Sequence, residues 1–366
     1  MRYSNIIHQL MVPAPTLSYP IYIGKRLQDI YKDFFNKYPR VGLVTNDTLF
    51  NLYKIPILDL RADVPQVFYV IVNDGEKYKN IHVLTQIYKQ FTSKKMDRDG
   101  LIAAFGGGVI GDLAGFASAT YMRGVDYVQI PTTLLAMVDS SVGGKTAINL
   151  AEGKNMVGAF HQPQAVFSDL DFLDTLPVRE FNAGIMEAMK YGLIMSRSFY
   201  DYICKNKENI KKRSKDTVAY IIHQSCRFKS EIVAQDEKEK GMRAILNFGH
   251  TIGHALESYT DYQFYLHGEA VALGTLAMVS YGVDRGLLDR KFLHEFFDIL
   301  TFFQLPPSIP ADFKIDRILA HLSYDKKKRR GKNEWVTLKQ IGVSEWGQSI
   351  DYKQIEKVLG RLQKNG

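Results

Sequence analysis

Six short β-branched or aliphatic runs dominate the first 167 residues and then stop: Tyr19–Ile23, Val41–Thr45, Val67–Val72, Leu101–Phe105, Tyr127–Ile130 and Ala165–Phe167. Amphipathic stretches such as Ile81–Phe91 lie between several of them. Strand patterns alternating with helical ones predict an α/β layer with a Rossmann-like, largely parallel sheet. After about Pro177 the period changes, and apolar residues recur at three and four. Arg179–Met195, Thr217–Ala234, Ala244–Tyr259, Glu269–Arg285 and Arg290–Phe303 all read as helices. The expected organisation is an α/β domain over residues 1–175 followed by an all-α domain over 176–366. A cleft between two such domains is a usual place for a ligand, and the active site is expected there.

The fourth run leads straight into glycine. Leu101-Ile-Ala-Ala-Phe105 is followed by Gly106-Gly-Gly-Val-Ile-Gly-Asp112, which contains Gly106-x-Gly108-x-x-Gly111. Glycines after a strand and before a helix allow a tight turn and close approach of a pyrophosphate, which the helix N-terminus then favours. The motif sits late in the chain for a standard dinucleotide fold, so the sheet is expected to be a relative of that fold. Asp126, twenty residues on, lies beside a strand start and is a poor ribose ligand.

Pro131 to Asn149 sets Asp139 and Lys145 among glycines and small residues, with Lys154 and Asn155 close behind. Gly143-Gly-Lys-Thr146 is not a P-loop, because the first glycine of that motif would fall at Asp139. A polar surface loop is one reading. A lysine-rich site for phosphate or carboxylate, with glycines opening the backbone, is the sharper one.

Three of the chain's nine histidines fall within eighteen residues: His250, His254 and His267. His250 and His254 stand one helical turn apart on one face, and His267 opens the next apolar segment. Converging imidazoles suit a zinc-like ion, which in a catalytic site takes three protein ligands and keeps one position open. Glu187, an acid in an otherwise apolar helix, could supply the carboxylate, with Lys190 one turn further on the same face. Glu257 and Glu269 are rivals. Spacing alone does not choose among the three acids, nor between His250 and His254.

The net charge of +8 fits either nucleic-acid binding or a cavity that collects anions. Basic residues are spread along the chain except in Asp325–Lys332, where no aromatics interleave, and this argues against nucleic acid. No run of eighteen apolar residues suggests a membrane span. Two cysteines point to a reducing, cytoplasmic setting.

The motifs Gly-Gly-Gly-Val-Ile-Gly-Asp-Leu, Tyr-Met-Arg-Gly-Val, the segment Pro131–Asn149 and Leu-Asn-Phe-Gly-His-Thr-Ile-Gly-His together resemble the 3-dehydroquinate synthases, over nearly the whole length. That resemblance implies Glu187, His250 and His267 as ligands of Zn2+ or Co2+. It implies catalytic roles for Arg123, Lys145, Lys190, Asn247 and His254. Asp139, Lys154, Asn155, Lys229, Arg243 and one of Lys326 and Lys327 would hold the substrate. NAD would meet Asn46, Asp47, Glu76, Lys79, Gly106, Gly107, Gly108, Gly111, Asp112, Thr132, Thr133, Phe172 and Thr175, with Lys145 and Lys154 nearby. The implied reaction converts 3-deoxy-D-arabino-heptulosonate 7-phosphate to 3-dehydroquinate and phosphate. It runs by transient oxidation at C5, phosphate elimination, re-reduction, ring opening and aldol closure. A homodimer is implied as well. Rival readings are another sugar phosphate cyclase, of the valiolone or deoxyinosose kind, and a metal-dependent polyol dehydrogenase.

Overall fold

All six runs form strands in the computed structural model, which describes residues 4–53, 64, 66–239, 241–328 and 334–364, apart from the side chains of 323–328 and 364. In chain order the strands are β1 (Ile6–Val12), β2 (Tyr19–Gly24), β3 (Val41–Asn46), β4 (Val67–Val72), β5 (Leu101–Gly106) and β6 (Asp126–Pro131). They continue with β7 (Lys145–Leu150), β8 (Gly153–Phe160) and β9 (Ala165–Asp169). Seven of them make one sheet in the order β1-β2-β9-β6-β5-β3-β4. Every neighbour is parallel except the β1–β2 edge pair. β3, β5 and β9 are buried at every residue, as expected where both faces of a parallel sheet are covered. Alternation along β5 shows how. Ile102 and Ala104 face one core with Phe91, Ile110 and Phe116. Leu101, Ala103 and Phe105 face the other with Phe35, Val128 and Phe167. Each of the larger side chains contributes roughly 1.5–3 kcal/mol by burial.

The strand order reverses between β3 and β5. From β3 the chain steps outward to β4, then crosses back to β5 on the other side. In open α/β sheets the crevice at such a reversal, beyond the carboxyl ends of the strands, is where ligands bind. Here those ends carry Asn46 and Gly106.

By packing, the chain divides into two compact units, Met1–Leu176 with Lys215–Lys238, and Pro177–Ser214 with Glu239–Gly366. The first break lies between Leu176 and Pro177. The helix Lys215–Gln235, grouped by sequence with the later helices, packs within the first unit instead. Its buried face (Val218, Ile221, Ile222, Cys226, Phe228) lies against β1 and the short π-helical turn Ala136–Ser140. Amphipathic spacing shows that a helix needs a partner, not which partner it takes.

The second unit is helical, with one added hairpin, β10 (Trp335–Gln340) and β11 (Val343–Gln348). The expected helix Ala244–Tyr259 is broken. A 3-10 turn, Met242–Asn247, ends before Gly249, whose φ of +77° starts the helix His250–Tyr259 afresh. A Cβ at Gly249 would also lie 2.4 Å from the Thr275 hydroxyl. The break makes His250 the first residue of its helix.

Ile221→Ala should destabilise the fold by about 2–4 kcal/mol in urea denaturation. Amide exchange in Ile6–Val12 should rise with it. Unchanged protection of β1 would contradict the assignment of this helix to the first unit.

Candidate active site

The first unit gathers most of the expected nucleotide contacts at the reversal of the sheet. Gly107 and Gly108 stand where a side chain would be tightly crowded. A Cβ on Gly107 would sit 3.0 Å from Thr133 Cγ2, and one on Gly108 3.0 Å from Ser140 Oγ. Gly111 lets the helix Gly108–Thr120 approach the sheet, its Cβ position being 2.9 Å from Gln129 Oε1. That helix starts directly at the turn, so its unpaired amides face the crevice, a ready anion site. Thr132 N–H donates to the Gly106 carbonyl at 3.0 Å, tying the ends of β5 and β6. Across the reversal, Asn46 Oδ1 caps the helix Asp47–Leu52 by accepting from Leu49 N at 2.8 Å. Its Nδ2 donates to Asp74 at 2.7 Å, and Asp47 Oδ1 accepts from Asp74 N at 3.1 Å.

A polar network borders the same region. The buried Lys79 ammonium pairs with Asp112 and donates to Asn155 Oδ1 at 2.5 Å. Burial pushes the Asp112 carboxyl above its ordinary range, against the pull of Lys79. Glu76 accepts from Asn149 Nδ2 at 2.7 Å, and Asn149 Oδ1 accepts from Asn155 N at 2.9 Å. Asn149 was not singled out by sequence, although it ends the distinctive Pro131–Asn149 segment. Phe172 packs on Phe105 and Tyr53 with ring centroids 5.2 Å apart, and the Tyr53 hydroxyl bonds Thr175.

The polar segment is neither a plain loop nor one cluster. It folds into the β7–β8 hairpin, with Lys145 paired opposite Phe160 at one end and Leu150 opposite Gly153 at the other. Lys154 and Asn155 therefore lie near the hairpin tip, about 13 Å along the strand from Lys145. Asp139 sits on the π-helical turn, a distortion frequent at functional sites. Lys229 reaches it from the helix Lys215–Gln235, donating to its carboxylate at 2.9 Å and its carbonyl at 2.8 Å. Arg123 is not brought to this group within one chain. It is exposed beyond the far end of the helix Gly108–Thr120, about 20 Å from the glycine turn at 1.5 Å per residue.

In the second unit three ligand candidates converge. Glu187 Oε1 lies 3.5 Å from His250 Nε2 and 3.6 Å from His267 Nε2. Bonds of about 2.0–2.1 Å at a tetrahedral angle place donor atoms about 3.3–3.4 Å apart, so the spacing fits one ion. Glu187 is 1% exposed, and its Oε1 has no hydrogen-bond donor. Leaving a buried carboxylate oxygen so is costly unless a cation meets it. Both rings are oriented from behind. His250 Nδ1 donates to the Phe248 carbonyl at 3.1 Å, and His267 Nδ1 to Glu257 at 3.2 Å. Each bond leaves Nε2 as the free lone pair. Burial, then Lys190, hold His250 well below the ordinary histidine pKa of 6.5. Burial alone would lower His267 too, but the hydrogen bond and charge of Glu257 raise it above that value.

The three acids thus separate. Glu187 faces both Nε2 atoms. Glu257 orients a ring. Glu269 closes the N-terminus of the helix His267–Asp284, accepting from Leu266 N at 2.8 Å and, through both oxygens, from Arg179 at 2.6 Å. His254 also forms a group with Glu257 and His267, but there His267 Nδ1 is already engaged by the Glu257 carboxylate. Its ring centroid lies 5.4 Å from that of His250, and the residue is exposed. Lys190 pairs with Glu187. Arg243 is buried, and Asn247 donates to Glu239 at 2.8 Å. Sequence reading passed over Glu239, whose φ of +53° is its one local peculiarity. The side chains of Lys326 and Lys327 lie outside the described residues.

Solved structures share this fold. One is the 2-epi-5-epi-valiolone synthase ValA from Streptomyces hygroscopicus subsp. jinggangensis, with NAD+ and Zn2+ bound. It is 24% identical, covers 96% of this chain and 98% of that one, and has a TM-score of 0.88. A 2-deoxy-scyllo-inosose synthase complexed with carbaglucose-6-phosphate, NAD+ and Co2+ is 22% identical, with 97% and 99% coverage and a TM-score of 0.88. A glycine turn at the reversal of a parallel sheet and a carboxylate–imidazole cluster in a helical unit are carried here on the fold of those sugar phosphate cyclases. Within that class, residues 69–183 match the 3-dehydroquinate synthase N-terminal family model and 184–328 the C-terminal one. The 3-dehydroquinate synthase of Shewanella loihica is 42% identical over 97% of this chain and 100% of its own length. That of Halorhodospira halophila is 45% identical over 89% and 91%. The chain belongs to the 3-dehydroquinate synthase family.

Gly268 follows His267, and a Cβ there would sit 2.1 Å from the Ala183 carbonyl on the helix that bears Glu187. Gly268→Ala should therefore force the two ligand-bearing helices apart and weaken zinc binding at least about tenfold in competition with a chelator. Unchanged affinity would show that the cage does not depend on that approach.

Proposed function

We propose that this protein is a 3-dehydroquinate synthase, converting 3-deoxy-D-arabino-heptulosonate 7-phosphate to 3-dehydroquinate and phosphate. The observation that carries the reading is the buried Glu187 carboxylate facing His250 and His267, in a chain whose curated relatives bear that name over nearly their full length. Glu187, His250 and His267 would hold Zn2+ or Co2+. The Gly106–Gly108 turn, with Asn46, Asp47, Glu76, Lys79, Asp112, Thr132, Thr133, Phe172 and Thr175, would hold NAD. When bound, the metal supplies a Lewis acid at the C5 oxygen and the nucleotide a reversible hydride store.

The chain's own groups then have defined tasks. The substrate brings a carboxylate and a phosphate, and the basic side chains supply complementary charge. Lys145, Lys154, Asn155, Lys229 and Arg243 bind and orient it, with Asp139 holding Lys229 in place. Lys190, paired with Glu187, and Asn247, fixed by Glu239, lie in the metal-bearing unit. Positioning the phosphate against the neighbouring C6–H allows the substrate's own phosphate to take that proton as it leaves. His254, exposed beside the two ligand rings, would move a proton at a substrate hydroxyl. Hydride is taken and returned, so the net change is not redox. Among the described residues no helix is long and apolar enough to cross a membrane. A cytoplasmic homodimer is the compartment and assembly we expect.

Phosphate release from 3-deoxy-D-arabino-heptulosonate 7-phosphate tests this with NAD at catalytic amounts. The expected result is many turnovers per NAD, lost with a chelator and restored by Zn2+ or Co2+. NADH accumulating with a simple polyol and no phosphate release would replace the reading with a dehydrogenase. His254→Ala should lower turnover by about 10²–10⁴-fold. Unchanged turnover removes it from proton transfer.

A further inference from the structure

The turn that delivers Lys145 is held by a buried amide to which no role has been given. Gly143 and Gly144 are both left-handed, with φ of +99° and +67°, a conformation that only glycine adopts without strain. The turn is anchored at its backbone. Gly143 N–H donates to the Tyr19 hydroxyl at 3.1 Å, and His161 N–H donates to the Gly144 carbonyl at 2.8 Å. Its outer side is closed by Gln162. The Gln162 side-chain amide lies flat on Gly144, its Cδ and Nε2 each 2.7 Å from where a Cβ would stand. Gln162 is 6% exposed, and its Nε2 donates to Glu237 Oε1 at 2.8 Å. Thr16 Oγ1 donates to the same oxygen at 2.9 Å. Glu237 sits two residues past the helix Lys215–Gln235, whose Lys229 bonds Asp139.

The amide orientation follows from its partner. A flipped Gln162 would set its carbonyl against the Glu237 carboxylate. The carbonyl is therefore left buried with no hydrogen-bond donor. A local minimum for Gln162 alone would not leave it so, since an unmet buried carbonyl is costly. The Glu237 bond and the close approach to Gly144 hold the amide in this orientation.

We infer that Gln162 and Glu237 form a clasp that positions Lys145, by coupling the Gly143–Gly144 turn to the end of the helix that carries Lys229. Both are positioning residues. Neither needs to touch substrate. The clasp rests on the activity proposed above only for its kinetic readout.

A donor–acceptor exchange tests it. Gln162→Glu sets two carboxylates against each other and should open the turn. Adding Glu237→Gln restores one donor and one acceptor with their places exchanged. Glu237→Ala, at a half-buried site, removes the acceptor with little risk to folding. Two readouts are taken, amide exchange of the 143–148 segment by mass spectrometry and steady-state phosphate release. The single variants Gln162→Glu and Glu237→Ala should speed exchange in that segment. They should lower kcat about tenfold to a hundredfold, with a smaller change in KM. The paired exchange should recover most of both. If the singles leave segment exchange and kcat at wild-type values, or the pair fares no better than Gln162→Glu alone, the clasp is wrong. If segment exchange follows the pattern while wild-type protein releases no phosphate, the clasp stands and the activity reading fails.

Discussion

A single buried carboxylate oxygen sets the terms for the helical unit. Glu187 Oε1 has no hydrogen-bond donor, and two imidazole nitrogens stand 3.5 and 3.6 Å away with their lone pairs free. A protein interior tolerates an ionised carboxylate only beside a compensating charge. Lys190 supplies part of that charge on one oxygen, and the other is aimed at the space between the rings. The surrounding polar groups serve to keep this arrangement from relaxing. The Phe248 carbonyl and Glu257 fix the two rings, while Arg179 and Glu269 fix the start of the helix that presents His267.

Close backbone approach is the second requirement, and glycine meets it. A side chain at Gly268 would strike the Ala183 carbonyl, and one at Gly274 would lie 2.0 Å from the Gly249 carbonyl. With ordinary residues there the helices would stand further apart and the two rings would not converge on Glu187. Glycine serves the first unit in a different way. There it allows close packing of the turn on Thr133 and Ser140 and lets one helix settle on the sheet. The same residue type thus brings two helices together in one unit and a turn and a helix onto the sheet in the other.

Much of this was legible in the chain, and the parts that were not have physical reasons. The parallel sheet could be read because β-branched runs alternated with amphipathic ones. The edge strand β1 and the β7–β8 hairpin escaped because their alternation is diluted by polar and small residues, as in Lys145-Thr-Ala-Ile-Asn-Leu150. The histidine cluster announced itself by residue type and spacing. Choosing Glu187 over Glu257 and Glu269 took either a family resemblance or the coordinates, because all three acids occur at helical spacing and differ only in what they face. The break at Gly249 was hidden inside an unbroken apolar period. The allegiance of the helix Lys215–Gln235 was hidden for a similar reason. Asn149 and Glu239 act through neighbours, and single-residue reading does not reveal such roles.

The central claim is that Glu187, His250 and His267 together hold one divalent ion, with His254 outside the set. Titration of metal-free protein with Co2+, followed by its visible d–d absorption, tests this most directly. The account predicts saturation at one Co2+ per chain, with the intense bands of a four- or five-coordinate site. Those bands should be lost in Glu187→Ala, His250→Ala and His267→Ala and retained in His254→Ala. Retention of the bands without Glu187, or their loss without His254, would contradict it.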